Sequence, residues 1–360
     1  MTGCCASMPP RAMSDAERSA LTRRLEAFLA QRLPDVHSVS VGDLVTLPGG
    51  YSRQMTRFTA VLDGRPRTLV LRADADDGSA PIETDRALEW ELLSALTGQG
   101  GAPMPDALYA DPTGEELGSK AIILDFVAGS PFLSRVRASA QVEIADHGRA
   151  LCDLAADIHS VDIANLPPSV RHPADWDAYV DELIELWRRT EMDLSESIPM
   201  LRYVAAWLQR NRPPEVPMTL VHGEFQPGNV MLGHNDRLVA VDWEFAHIGD
   251  PREDLGWALW VESIQPPALI GTDPDGFCAR YRERTGLGRH EVNPRTVSYF
   301  SIVSAIRVFA GLLRTQQTYV EGANTDLRTA FLFNANITAF EGWFSATRGL
   351  EAAVAVEAST

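Results

Sequence analysis

Lysine is all but missing from this chain: among its 360 residues Lys120 stands alone, and every other basic side chain apart from histidine is arginine. Any site built on a side-chain ammonium therefore has a single candidate. Cysteine is sparse as well. Cys4, Cys5, Cys152 and Cys278 have neither metal-ligand spacing nor the density of a disulfide framework, which fits a reducing compartment and predicts a cytoplasmic protein. Basic clusters are absent too. With 32 Lys and Arg against 49 Asp and Glu, the formal net charge is -17, so phosphate backbones and anionic lipid are repelled, and neither nucleic acid nor a membrane is the expected partner. Long apolar runs are lacking. The most apolar late stretch, VSYFSIVSAIRVFAGLL, carries Arg307 and several serines and is too short to cross a bilayer comfortably, so it predicts a buried helix. The opening MTGCCASMPPRAMSD has no basic segment followed by an apolar core and no glycine at position 2. Neither a secretory signal nor a myristoylation site is expected there, and residues 1–13 and 351–360 read as tails.

What is present is a globular composition, 45% hydrophobic, and a chain long enough for two lobes around a large core. From Ser14 to about Leu33, the residues Leu21, Leu25, Phe28 and Leu29 fall at helical spacing behind a serine cap. Two β-rich runs then flank the turn DGRP, with Gly49 and Gly50 interrupting the pattern earlier, and together they predict three antiparallel strands. The segment IETDRALEWELLSALTGQGG returns to helical spacing, with Leu88, Leu92 and Leu96 on one stripe and Glu89 at its border. AIILDFVAGSPF reads as a buried strand ending at Gly129, a natural joint between lobes. Beyond residue 130 the pattern is mainly helical, near 139–160, 175–191 and 196–211 and again from about 294. Two short strands, MTLVHG and RLVAVDW, bracket a polar loop. The expected class is α+β, a small antiparallel-sheet lobe over 14–128 followed by a mainly helical lobe over 129–350.

That polar loop carries the chemistry. In LVHGEFQPGNVML, Glu224 lies two residues past His222 and Asn229 five beyond Glu224, while Asp242 ends the next apolar run. One proton acceptor with two hard oxygen ligands is the set Mg2+ uses when it holds substrate phosphates with few protein contacts. Phosphoryl transfer is the reading this suggests. The alternative is structural, with His222 and Asn229 satisfying backbone groups in a tight turn and the carboxylates solvated.

HGEFQPGN followed by VDWEFAHIGDPREDLGWAL resembles the aminoglycoside phosphotransferase family, whose pattern runs H-G-D-x-x-P-x-N, I/V-D-W-E and G-D-P-x-x-D-L in the same order and spacing. The resemblance covers about residues 40 to 345 and implies a two-lobed protein-kinase-like fold, with a nucleotide-binding N-lobe over 14–128. The C-lobe, 129–350, would hold the catalytic loop and acceptor site, and the activity implied is transfer of phosphate from ATP, with Mg2+, to a hydroxyl of a small molecule. LPGGYSRQMTRFTA looks like the family's glycine turn over the ATP phosphates, which would bring Gly49, Gly50 and Ser52 to the nucleotide. RTLVLRAD takes the place of the strand that carries the phosphate-gripping cation. That cation must be Arg72, because Lys120 lies at the start of a later strand; arginine keeps the charge and can bond phosphate oxygens as a fork. Its partner on the next helix would be Glu89, with Glu83 and Glu91 as rivals. LDFVAGSPF resembles the hinge, whose backbone around Asp125, Phe126 and Val127 would meet adenine. Asn229 and Asp242 would bind Mg2+, Glu224 would act as the base, His222 would support the catalytic loop, and Asp250 and Asp254 would tie backbone amides beneath it.

Glu224 is the departure, since the family has aspartate there. A misplacement of about 1 Å can cost on the order of a hundredfold in a positioned reaction. A small loop shift absorbs the extra methylene, glutamate also accepts a proton, and the metal-binding residues are intact, so an active enzyme is expected. The alternative is a nucleotide-binding pseudokinase with a regulatory role. LVLR, LAADIHSVD and VDWEFAHIGDP are similar to the branch fused to acyl-CoA dehydrogenases in animals, which is associated with hydroxyacyl-CoA-type acceptors, whereas the family's name favours aminoglycosides. Both acceptors stay open. Asp175, Asp177, Asp181, Glu182 and Glu185 would either recognise amines or form a solvated helix face. A protein kinase is disfavoured by the helical insertion near 162–215 and by the lack of an activation segment after VDWE.

Overall fold

The computed structural model describes residues 13–47, 53–74, 85–99, 102–194, 197–264, 266–303 and 306–322. Gly49, Gly50, Ser52 and Glu83 lie outside the described residues. The chain divides into two compact units, one of residues up to 100 with 105–128, the other of 101–104 with 129 onward.

The first unit begins with helix α1 (Asp15–Arg32), started by a capping box in which Ser14 and Glu17 exchange side-chain and backbone bonds. A five-stranded antiparallel sheet follows in the order β1-β2-β3-β5-β4, made of β1 (Val39–Thr46), β2 (Arg53–Leu62), β3 (Arg65–Asp74), β4 (Ala107–Asp111) and β5 (Ala121–Asp125), with helix α2 (Arg86–Gln99) between β3 and β4. The β2–β3 hairpin closes on Asp63 and Gly64, both at positive φ (46° and 78°), as a two-residue primed turn demands. Alternation then sorts the side chains. Leu69, Leu71 and Ala73 of β3 join Phe58 and Ala60 of β2 in a core with Leu25, Phe28 and Leu29 of α1, each large apolar side chain contributing about 1.5–3 kcal/mol on burial. Val70 and Arg72 point to the other face, where the register pairs them with Arg57 and Met55 of β2 and with Leu124 and Ile122 of β5.

Three expectations need correcting here. β5 stops at Asp125 and not at Gly129; the Phe126 N–H makes one more in-register bond, to the carbonyl of Thr68 at 3.3 Å, and Gly129 starts a separate short strand. Leu88 is 38% exposed, while Arg86 and Glu89 are buried beside Leu92, Leu93 and Leu96. The inward stripe of α2 is therefore turned, in its first turn, toward the charge of Arg72. β4, hidden in the loop before it, completes the sheet.

The second unit is mainly helical: α3 (Phe132–Ala138), α4 (Ile144–His159), α5 (Trp176–Asp193), α6 (Pro199–Arg210), α7 (Arg252–Ile264), α8 (Pro274–Thr285), α9 (Pro294–Val303) and α10 (Ile306–Val320). The expected helix near 139–160 is α4, and α3, α7 and α8 join those read from the pattern. α7 packs on α9 across Gly256, where an added Cβ would meet the backbone of Phe300 and Ser301 at 2.4 Å. Short strands β6 (Gly129–Pro131), β7 (Thr219–Val221), β8 (Val230–Gly233), β9 (Leu238–Ala240) and β10 (His247–Gly249) pair antiparallel as β10-β7 and β6-β8-β9. Among the described residues, no helix is long and apolar enough to cross a membrane.

Candidate active site

Strand pairing alone brings the two polar loops of the second unit together. Val221, the end of β7, pairs with His247, the start of β10; Val230, the start of β8, pairs with Ala240, the end of β9. Residues 222–229 and 241–246 thus span the same two fixed points and must run side by side. Gly223 makes the fit possible: its φ is +86°, and a Cβ there would lie 2.4 Å from the Phe245 carbonyl oxygen.

His222 stitches the loops from within. It is fully buried, its Nε2 donates to the Val241 carbonyl at 3.0 Å and its Nδ1 accepts the Glu224 N–H at 3.3 Å. Its ring centroid is 4.7 Å from that of Trp243. Burial lowers its pKa from the usual 6.5, against the raising influence of Asp254 and the Val241 bond, and the neutral tautomer is the one these two bonds require.

Asp254, in the first turn of α7, holds the loop from below. Its Oδ2 accepts the His222 N–H at 2.8 Å and His159 Nε2 at 3.0 Å, and its Oδ1 accepts the Gly223 N–H at 2.9 Å. Burial raises its pKa, but the His159 bond and charge and the His222 contacts outweigh that, leaving it below 3.8. His159 at the end of α4 is itself braced by the Tyr281 hydroxyl, 2.6 Å from Nδ1. Burial pushes the pKa of that tyrosine well above 10, so its hydroxyl stays protonated.

Asp250 does a different task from the one expected. Its carboxylate takes the Arg252 backbone N–H (2.9 Å), the Arg252 guanidinium (2.6 and 2.9 Å) and Trp176 Nε1 (2.7 Å). It binds no amide of the 222–229 loop among these contacts. Arg252 carries the clamp onward to the carbonyls of Glu291 and Pro214, each at 2.8 Å, so Asp250 ties α5 and the α8–α9 connection to α7.

Three carboxylates converge where the loops face each other. Ligand oxygens of Glu224, Asp242 and Glu244 all lie within 4.8 Å of one another, and all three residues are half-buried. Asp242 is placed there by a left-handed backbone, φ +69°, an uncommon conformation that aspartate tolerates better than most residues. Asn229 donates its side-chain N–H to the Glu224 carbonyl at 3.1 Å and accepts the Val241 N–H on its own carbonyl at 2.9 Å. Its side-chain oxygen is the acceptor atom left to it. Hard carboxylate oxygens at this spacing suit Mg2+, and like charges this close favour a divalent cation between them. Glu244 had no role in the sequence reading, although it stands in VDWE two residues after Asp242.

In the first unit, Arg72 is 3% exposed and bonds Glu89, itself 5% exposed. Of the glutamates considered as its partner, Glu89 is bonded to it, and Glu83 lies outside the described residues. Arg86, which sequence reading did not single out, bonds the other oxygen of Glu89 and reaches Asp74 at 2.8 Å. Lys120 is exposed at the turn before β5. An open concavity of about 530 Å³ runs around the β1 edge of the sheet, from Arg18 of α1 past Asp43, Leu44 and Val45 to Arg57, Thr59, Thr68 and Phe126. The Arg57 guanidinium sits 5.8 Å from the Phe126 ring centroid. The carboxylate of Asp125 is engaged by Arg67 in a fork at 2.7 and 3.0 Å, so any contact to a base at this segment falls to backbone.

Helix α5 resolves the question of its acids. Asp175 caps the helix, accepting the Ala178 N–H at 2.7 Å. Asp177 and Asp181 pair with Arg212, Glu182 with Arg171, and Glu185 with Arg188 and Arg189. Four of these five acids are thus paired with arginine on the helix surface, and the fifth is its cap.

Comparison with known proteins agrees with this architecture. The mouse acyl-CoA dehydrogenase family member 10 is 25% identical over 259 residues, which is 69% of this chain and 23% of that protein. The chain thus spans less than a quarter of that relative's length. A Ralstonia eutropha protein assigned as an aminoglycoside phosphotransferase superposes with a TM-score of 0.64 at 22% identity, covering 91% of this chain and 98% of the other. A thermostable variant of aminoglycoside phosphotransferase APH(4)-Ia, solved with ADP and hygromycin B, gives 0.58 at 18% identity over 90% and 98%. The fold is therefore the two-lobed α+β fold of kinase-like phosphotransferases, and the relative named for acyl-CoA dehydrogenase agrees with the branch that LVLR and VDWEFAHIGDP resembled. With residues 43–287, well over half of its length, matching the family profile, the chain belongs to the phosphotransferase enzyme family.

Proposed function

We propose that the chain is an ATP-dependent phosphotransferase acting on a hydroxyl of a small molecule. The observation that carries this reading is the convergence of Glu224, Asp242 and Glu244 within 4.8 Å, on loops pinned by His222 and Asp254. Residues 14–128 bind the nucleotide and residues 129–350 supply the catalytic loop and the acceptor site. Phe126 and the concavity beside it receive the base, with the backbone of Asp125 and Val127 as its polar partners. Arg72, oriented by Glu89, grips the phosphates. Glu224 accepts the hydroxyl proton as the acceptor oxygen bonds the γ-phosphorus and the bond to the ADP oxygen breaks. Asp242 with Asn229, and Glu244 beside them, would hold Mg2+, which would supply positive charge to offset that of the phosphates. The longer arm of glutamate at 224 brings its carboxylate within 4.8 Å of the other two.

Both acceptor classes, the hydroxy acid or hydroxyacyl-CoA and the aminoglycoside, enter the test below. The buried free thiols of Cys152 and Cys278, their pKa values pushed up to about 12 by burial, fit a cytoplasmic setting.

The test is coupled ADP release with MgATP across hydroxyacyl-CoAs, hydroxy acids, amino alcohols and aminoglycosides, beside Glu224→Asp, Glu224→Ala and Asp242→Ala. An acceptor whose turnover is abolished by Asp242→Ala and crippled by Glu224→Ala supports the enzyme. Nucleotide binding without turnover in the wild type, with turnover appearing in Glu224→Asp, identifies a pseudokinase instead.

A further inference from the structure

Glu89 is held by two arginines, and only one of them is explained by gripping phosphate. Arg72 Nη1 donates to its Oε1 and Arg86 Nη1 to its Oε2, while Arg86 Nη2 donates to Asp74 Oδ1 at 2.8 Å. The side chains of Arg72, Glu89 and Arg86 are 4%, 3% and 1% exposed, and Asp74, at 32%, is the end that reaches solvent. Arg72 and Asp74 are two apart on β3 and so share a face of the sheet. Arg86 and Glu89 are three apart on α2 and so share a face of the helix. The four side chains close a ring across the strand–helix junction.

We propose that Arg86 is a positioning residue for the phosphate-binding cation, acting on Arg72 through Glu89; this rests on the phosphotransferase reading of the site. A lysine at position 72 would be a point charge, attracting phosphate over a wide range of orientations. A guanidinium binds oxygens as a fork and has to be aimed. A carboxylate bonded through one oxygen can pivot and carry Arg72 with it. Bonded through both, with Arg86 anchored in turn to the strand that bears Arg72, it cannot. An arginine at position 72 thus creates a need for orientation that Arg86 meets.

The experiment is calorimetric titration of the full chain with MgAMP-PNP and, separately, with adenosine, which lacks phosphates. Arg86→Met is expected to weaken MgAMP-PNP binding about tenfold, the low end of what losing an outer supporting partner costs at metal sites, and to leave adenosine binding unchanged. Arg86→Lys, which keeps the charge and loses the fork, should fall between. Arg72→Met should lose more, and the double variant no more than Arg72→Met alone, because Arg86 acts only through Arg72. Unchanged MgAMP-PNP binding in Arg86→Met, parallel loss of adenosine, or multiplying losses in the double variant overturns the inference and leaves the phosphotransferase reading standing. Should Arg86→Met not fold, Asp74→Asn, which loosens Arg86 at the solvent edge, must show the same phosphate-selective loss; its absence counts against the role. If the wild type binds neither ligand, both readings fall.

Discussion

The carboxylate of Asp254 accepts the backbone N–H of His222 at 2.8 Å, across 32 residues of sequence. With the neighbouring N–H of Gly223 on its other oxygen at 2.9 Å, this single side chain fixes the plane of the peptide from which the loop departs. The Glu224 side chain starts one residue later. The position of the proposed base is therefore set by a helix-borne residue that touches none of the reacting atoms.

Asp254→Asn should break that support selectively. An amide offers one accepting end and one donating end, so at least one of the three donors now bonded faces another donor inside a dry site. Loss of a buried charged partner costs about 3–5 kcal/mol, and urea titration should show the midpoint falling with its slope unchanged. A loss under about 0.5 kcal/mol, the level of an exposed surface change, would show that the carboxylate is dispensable.

Acid should loosen the same loop through His222. Its folded-state pKa is depressed below 6.5 by burial, so the unfolded chain takes up a proton before the folded one does. Stability is complete above about 6.5 and falls as pH drops from there toward the folded value. Asp254, depressed below 3.8, adds a second loss only at lower pH. His147, also lowered by burial, works in the His222 window, so the informative quantity is the difference between proteins. The melting temperature of His222→Gln should change less than that of the wild type between pH 7 and 5. Equal slopes would assign the effect to other groups.

Gly223→Ala should be more damaging than its size suggests. A Cβ would sit 2.4 Å from the Phe245 oxygen at a φ of +86°, so the two loops must part as well as strain. Holding a residue in such a region costs of order 1–3 kcal/mol. The expected result is a folded protein with a lower melting temperature and no acceptor-dependent ADP release. Full activity would mean that the loops separate freely.

Much of this was legible in the sequence because it is local. DG between two β-rich runs, the serine before α1 and the order of HGEFQPGN and VDWE each encode their own geometry. Arg72 was reached through the resemblance of RTLVLRAD to the family's cation-bearing strand, in a chain whose one lysine lies elsewhere. What the sequence hid is non-local. Leu88 fits a helical stripe, but the first turn of α2 is turned toward a charge on β3, so Arg86 and Glu89 lie inside instead. His159 and Asp254 are 95 residues apart, and nothing in either segment announces the other. Asp250 was expected under the loop with Asp254, four residues along the same stretch; its oxygens go to Arg252 and Trp176, a pairing decided by how α5 packs.

The last prediction separates base from ligand among the three acids. Asp242→Asn keeps the shape and tolerates the left-handed backbone at φ +69°, so only charge is lost, and Mn2+ binding in the presence of ADP should weaken by at least the roughly 10–100-fold that losing an outer supporting partner costs. Glu244→Gln should weaken it by about tenfold if this carboxylate shares the ion, the lower end of the same range. Glu224→Gln is the deciding variant. As the base, Glu224 acts on the hydroxyl proton, so its amide should bind Mn2+ nearly as the wild type does while acceptor-dependent ADP release collapses. If Glu224→Gln costs as much Mn2+ affinity as Asp242→Asn, the extra methylene has carried the carboxylate onto the metal. The proton must then leave the acceptor hydroxyl by another path, to water or to a phosphate oxygen, and position 224 would support the ion rather than the proton transfer.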